Sequence, residues 1–187
     1  MKKFLAVLLA VVMTISLAAC SGSGSGSSSG SSSDGASGSS VDMSAYPADV
    51  SEWTAQNFVD YFKAQGLFTD DDDHETWIQD HEMYWPGTPV SECAGWWDNA
   101  GTEACVMIMI MQPDLADSSQ EDYDSWIETI TSDKTLPGEY ASLGTVDHLV
   151  GNVAFAYSTM TLDDDALARV EAAYEQFLAD TGATATF

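Results

Sequence analysis

The side chains whose types and spacing allow chemistry fall into four groups. The first is a pair of thiols, Cys93 and Cys105, either side of the turn signal Asp98-Asn99-Ala100-Gly101. In an oxidising compartment such a pair predicts a disulfide, with a loop closure contributing about 3 kcal/mol in the chain-entropy view. The turn length sets the condition. A five-residue loop from Trp97 to Gly101 puts Cys93 directly opposite Cys105, a three-residue loop leaves them diagonal, and a four-residue loop puts them on opposite faces. Two buried thiols are the alternative. Zinc is disfavoured, because two cysteines without a second close pair of ligands do not make a tetrahedral set.

The second group is acidic. Asp70, Asp71, Asp72 and Asp73 are consecutive, Asp114 to Asp124 is rich in carboxylates, and Asp163 to Asp165 adds three more. Clustered oxygen ligands suit calcium, so Asp70–Asp73 is the candidate cation site. It lacks the alternating ligands and fixed glycine of an EF-hand loop. The other two clusters lie at helix starts, where negative charge offsets the helix dipole, and solvated faces and caps account for them. No cofactor is expected beyond this calcium candidate.

Third are the aromatics. Trp77, Trp85, Trp96 and Trp97, with Tyr84, crowd one stretch and form the candidate ligand-binding surface. Adjacent Trp96 and Trp97 on a strand point to opposite faces, so one enters the core while the other covers the sheet or stacks on a ligand such as a sugar ring. Met107, Met109 and Met111 offer an adaptable apolar surface. Core packing is the competing reading for all of them.

The histidines are the fourth group. His74 and His81 flank a segment resembling a zinc-protease helix, but that motif needs histidines one turn apart. Seven residues of helix rise about 10 Å, too far for one ion. With His148 they read as solvated or hydrogen-bonded surface residues. The folded region has no Gly-rich phosphate loop, Gly-x-Ser-x-Gly elbow or Ser-x-x-Lys pattern. Paired carboxylates for glycoside hydrolysis stay open, since acids abound and sequence gives no separation.

These groups must be held by secondary structure. Asp49-Val50-Ser51-Glu52 reads as a capping box opening a first helix carrying Trp53, Phe58, Val59 and Phe62, with Gly66 as its stop. Ser119-Gln120-Glu121-Asp122 opens a second, with Tyr123, Trp126, Ile127 and Ile130 on one face. Thr161 to Asp164 opens a third, whose stripe runs through Ala166, Leu167, Val170, Ala173, Tyr174, Phe177 and Leu178 to Gly182. Val106 to Met111 is apolar on both faces, as a covered central strand is, and pairs with Ala94 to Trp97. Thr145 to Val150 and Val153 to Met160 flank the turn Gly151-Asn152. The expected fold is α+β, an antiparallel sheet of about four strands in two hairpins with three helices, packed mainly on one face. The stretch 70–89 has no clear periodicity.

The first forty residues have another character. Lys2 and Lys3 precede an apolar run from Phe4 to Leu17, interrupted by Thr14 and Ser16, and Leu17-Ala18-Ala19-Cys20 closes it. Length and flanks mark an export signal, not a membrane span. The four closing residues resemble the lipobox of bacterial lipoproteins, Leu-(Ala/Ser)-(Gly/Ala)-Cys. The resemblance covers positions 1–20. It implies removal of residues 1–19, a diacylglyceryl group on the Cys20 thiol, commonly with acylation of the new amino terminus, and a lipid anchor on the extracytoplasmic face of the cell membrane. Two or more acyl chains hold a protein stably. Ser21 to Ser40, with 12 Ser and 6 Gly, is a tether of about 25 Å root-mean-square reach. Residues 20–40 thus form lipidated cysteine and tether, and 41–187 one acidic domain.

Charge narrows the partners. The chain has 30 Asp and Glu against 5 Lys and Arg, a net charge of −25. Removal of the signal leaves Lys63, Lys134 and Arg169 as the basic side chains. Nucleic acid is excluded as a partner, since phosphate binding needs Lys and Arg, as is charge-driven docking on anionic lipid. The expected role is a membrane-anchored domain binding a small ligand or an envelope protein. The alternatives are an envelope hydrolase using carboxylates and a non-catalytic cell-surface interaction protein.

Overall fold

Local capping chemistry sets the helix starts. Thr54 accepts a hydrogen bond from the Asn57 amide while the Asn57 side chain accepts from the Thr54 amide, a reciprocal box that opens α1 (Ala55–Ala64). The expected box at Asp49 is instead a short turn: Asp49 accepts from Ser51 N at 2.9 Å, serving a 3-10 turn over Val50–Glu52. Its reach is two residues and not three, so the helix begins later. Ser119 and Asp122 form the box of α3 (Gln120–Asp133), and Asp163 caps α4 (Asp164–Thr181). Gly182 ends α4 in the left-handed region, φ +67°.

In the computed structural model, residues 41–71, 73–98, 104–157 and 162–187 are described. They contain five strands: β1 (His74–Asp80), β2 (Val90–Asp98), β3 (Ala104–Met111), β4 (His148–Val150) and β5 (Val153–Tyr157), with a one-turn helix α2 (His81–Tyr84) after β1. The sheet is antiparallel in the order β1-β2-β3-β5-β4. This is the expected α+β architecture with one strand more, supplied by the stretch 70–89. The lipobox, Cys20 and the tether lie outside the described residues, as do Asp72, the tip of the β2–β3 turn and 158–161.

β3 is buried on both sides, and its two faces divide the core. Val106, Ile108 and Ile110 join Phe58, Phe62, Val170 and Phe177 of α1 and α4. Met107, Met109 and Met111 join Trp126 and Ile130 of α3. Two of the three long helices, α1 and α4, therefore share one face of the sheet, and α3 covers the other. An all-apolar strand needs cover on both sides, and the methionine face receives it from α3. Phe177, fully buried, packs its ring against those of Trp53, Phe58 and Phe155 at 5.5, 5.8 and 5.6 Å between centroids. Burying each such ring contributes about 1.5–3 kcal/mol.

The two sheet edges are treated differently. Beside β4, the C-terminal segment donates Thr186 N to Leu149 O. β1 forms the other edge, and only Gln79 of its side chains is buried.

Candidate functional site

Of the exposed large apolar side chains among the described residues, all but Leu143, in the 3-10 segment Gly138–Leu143, are grouped at the β1 edge. Trp77, Ile78, Met83 and Tyr84 are 38, 45, 71 and 43% exposed, and all belong to β1 or α2. Solvated aromatic and aliphatic surface gathered in one place marks an interaction site more often than scattered residues do.

Register explains how the aromatic part is built. Trp77 lies opposite Gly95, and Glu75 opposite Trp97, so Trp77 and Trp97 share one face. Their rings approach to 6.0 Å between centroids, tilted by 30°. Gly95 has no side chain, and the Trp97 indole occupies the space that a Cβ there would need. Trp97 is half-buried, and its indole N–H is buried without a hydrogen-bond partner. The face thus offers one exposed indole backed by another.

A polar clasp fixes the neighbouring turn. Asp80 accepts from Met83 N at 2.9 Å and starts α2. His81 Nδ1 faces the Val90 carbonyl at 2.8 Å, where it must donate, and Nε2 meets the Asp117 carboxylate. Asp117 also accepts from Gly87 N at 2.8 Å. Burial alone would lower the His81 pKa, but Asp117 and the Val90 carbonyl reverse this and raise it above its ordinary value. His81, and after it the Gly87 N–H, hold the Asp117 carboxyl below the usual range. With Nδ1 donating to the carbonyl, protonation of Nε2 makes the imidazole the ion-pair partner of Asp117. Sequence reading missed this pair because its members are far apart along the chain.

The remaining candidates separate. Trp96 is buried on the opposite face, donates Nε1 to Thr69 O at 3.0 Å, and stacks on His74 at 4.4 Å. Trp85 is buried against Tyr140 at 5.3 Å. Both serve the core, so of the four expected ligand-binding tryptophans only Trp77 and Trp97 come together.

Cys93 lies opposite Met109 in the methionine layer, whereas Cys105 belongs to the layer of α1 and α4. An irregularity between Trp96 and Trp97 in the β2–β3 pairing separates their registers. The two thiols of the expected disulfide thus belong to different core layers. Burial pushes the Cys93 thiol up to about 12, which leaves it protonated.

The aspartate run is engaged with its own backbone. Asp70 accepts from Thr76 N at 2.8 Å and pairs with Lys63 at 3.3 Å, while Asp71 accepts from the amides of Asp73 and His74, both at 2.8 Å. Asp73 is exposed. No group of three metal-ligating side chains occurs among the described residues. Of the expected calcium site Asp70–Asp73, Asp72 lies outside the described residues.

A further titratable cluster lies at the far edge. His148 stacks on Tyr174 with centroids 3.9 Å apart and Nε2 3.3 Å from Glu171. Beside it Asp147 accepts from Tyr157 N at 2.7 Å. Burial raises the Asp147 carboxyl, and Glu171 adds to this. Two open clefts of about 460 and 610 Å³ flank Gly151 and Asn152. Among the described residues that line them, Asp49 is the one carboxylate and there is no histidine.

The chain matches no family model, no curated protein and no solved structure. Among the described residues no helix is long and apolar enough to cross a membrane.

Proposed function

We propose that this chain is a lipid-anchored extracytoplasmic binding protein, held at the membrane through Cys20 and presenting the β1–β2 aromatic edge at the end of a Ser/Gly tether. The observation that carries the reading is the exposed Trp77 indole set against Trp97 over Gly95. Planar apolar surface of this kind gives contact area at little conformational cost, and the clasp of His81 and Asp117 holds the neighbouring apolar turn in place. Asp70, Asp71, Asp80 and Asp117 beside it accept from backbone amides, which favours binding over carboxylate hydrolysis as the role.

Anchoring and binding are tested separately. Cys20→Ala abolishes incorporation of a labelled fatty acid and leaves the signal uncleaved; label on the mutant refutes the anchor. Hydrogen exchange of the anchored protein in its envelope, compared with the purified protein, shows slowed exchange over β1 and β2 and none on the outward face of α4. Identical exchange in both settings, or protection confined elsewhere, refutes the binding surface.

A further inference from the structure

We infer that the partner of this surface is a basic, extended polypeptide segment that adds to β1 as a sixth strand, centred on Ile78; this rests on the binding role proposed above. A strand at a sheet edge carries N–H and C=O groups that another chain can pair with. The alternation along β1 shows which groups these are. Thr76 N bonds outward to Asp70, and His74 bonds outward through both N, to Asp71, and O, from Asp71 N. Residues 74, 76, 78 and 80 therefore direct their backbone groups away from β2.

The loop carrying Asp70 and Asp71 covers the first half of that edge and stops at Thr76. Ile78 comes next with the same orientation, and among the described residues no hydrogen bond to its N–H or C=O from outside the sheet occurs. Its side chain is 45% exposed, with Trp77 on the other face 38% exposed. Pairing at Ile78 yields two backbone hydrogen bonds and apolar contacts on both faces. The exposed edge is short, so the docked segment is short.

Charge selects the occupant. Asp70, Asp71, Asp73, Glu75, Asp80 and Glu82 surround this edge, and the nearby Lys63 is paired with Asp70. A second copy of the chain would bring the same carboxylates against them, and like charges across a strand pair are destabilising. A segment alternating lysine or arginine with apolar residues meets both demands.

The test uses the full-length lipidated protein in zwitterionic micelles. Its probes are the blocked hexapeptide Lys-Val-Lys-Val-Lys-Val, its Glu-Val counterpart, and two forms of the basic peptide N-methylated on the lysines or on the valines. The basic peptide binds and weakens with salt, the acidic one does not, and one methylated form loses at least tenfold in affinity while the other keeps it. Ile78→Lys, which retains the strand, and Ile78→Pro also lose at least tenfold. The methylated pair acts on the unaltered protein, so the result does not depend on a variant folding. Absence of binding at millimolar peptide, equal binding of both methylated forms, or an Ile78-dependent dimer overturns the inference. Envelope protection of β1 and β2 without peptide binding would overturn it and leave the binding role standing.

Discussion

Trp97 folds its indole across Gly95, so that a methyl group at position 95 would stand 2.1 Å from Trp97 Nε1. The glycine is required here for close approach and not for an unusual backbone angle. It lets two indoles from neighbouring strands, Trp97 and Trp77, lie on one patch of sheet.

Gly95→Ala therefore displaces the Trp97 indole and loosens the Trp77 contact. The strain costs about 1–3 kcal/mol, as overpacking typically does, less if the ring swings away freely. Urea unfolding gives the stability change, and acrylamide quenching shows greater tryptophan accessibility. Unchanged quenching and stability would show that the ring does not occupy that space in solution.

The clasp of His81 and Asp117 gives a defined pH window. His81 has a folded pKa raised above 6.5, so its contribution is complete below 6.5 and disappears as pH climbs through the raised value. Asp117 is depressed below 3.8, so its contribution is present above 3.8 and disappears as pH falls through the lowered value. The melting temperature of wild type exceeds that of Asp117→Asn most between these limits, near pH 5, and the gap closes on both sides. A gap constant from pH 5 to 9 would contradict the ion pair.

Asp147 behaves oppositely. Burial raises its folded pKa above 3.8, so the folded state holds the proton more tightly than the unfolded state, and ionisation costs stability as pH rises. Asp147→Asn keeps an acceptor for Tyr157 N and removes the charge. It raises the melting temperature at pH 7 and has little effect below pH 3.8, read by thermal denaturation at the two pH values. A variant less stable than wild type at pH 7 would count against this.

What was legible in the sequence follows from burial. β3 announced itself because Val106 to Met111 has no polar residue, and α4 because its stripe runs unbroken from Ala166 to Leu178. β1 stayed hidden: His-Glu-Thr-Trp-Ile-Gln-Asp lies at an edge with one buried side chain, so nothing imposed an apolar alternation. The opposite facing of Trp96 and Trp97 follows from strand geometry alone. That Trp77 would be the partner of Trp97, and Asp117 that of His81, depends on register and loop course, which no local pattern encodes. The placement of Cys93 and Cys105 in different core layers likewise follows an irregularity in the pairing at Trp96–Trp97, which no local pattern encodes.

The most direct measurement is photo-cross-linking in intact cells, with a photoreactive residue placed at 77 in the anchored protein and, separately, at the exposed position 165 on α4. A discrete adduct from position 77, absent from position 165 and lost when Ile78→Lys is added, is the expected result. No adduct from 77, or the same adducts from both positions, would contradict a recognition surface at the β1–β2 edge.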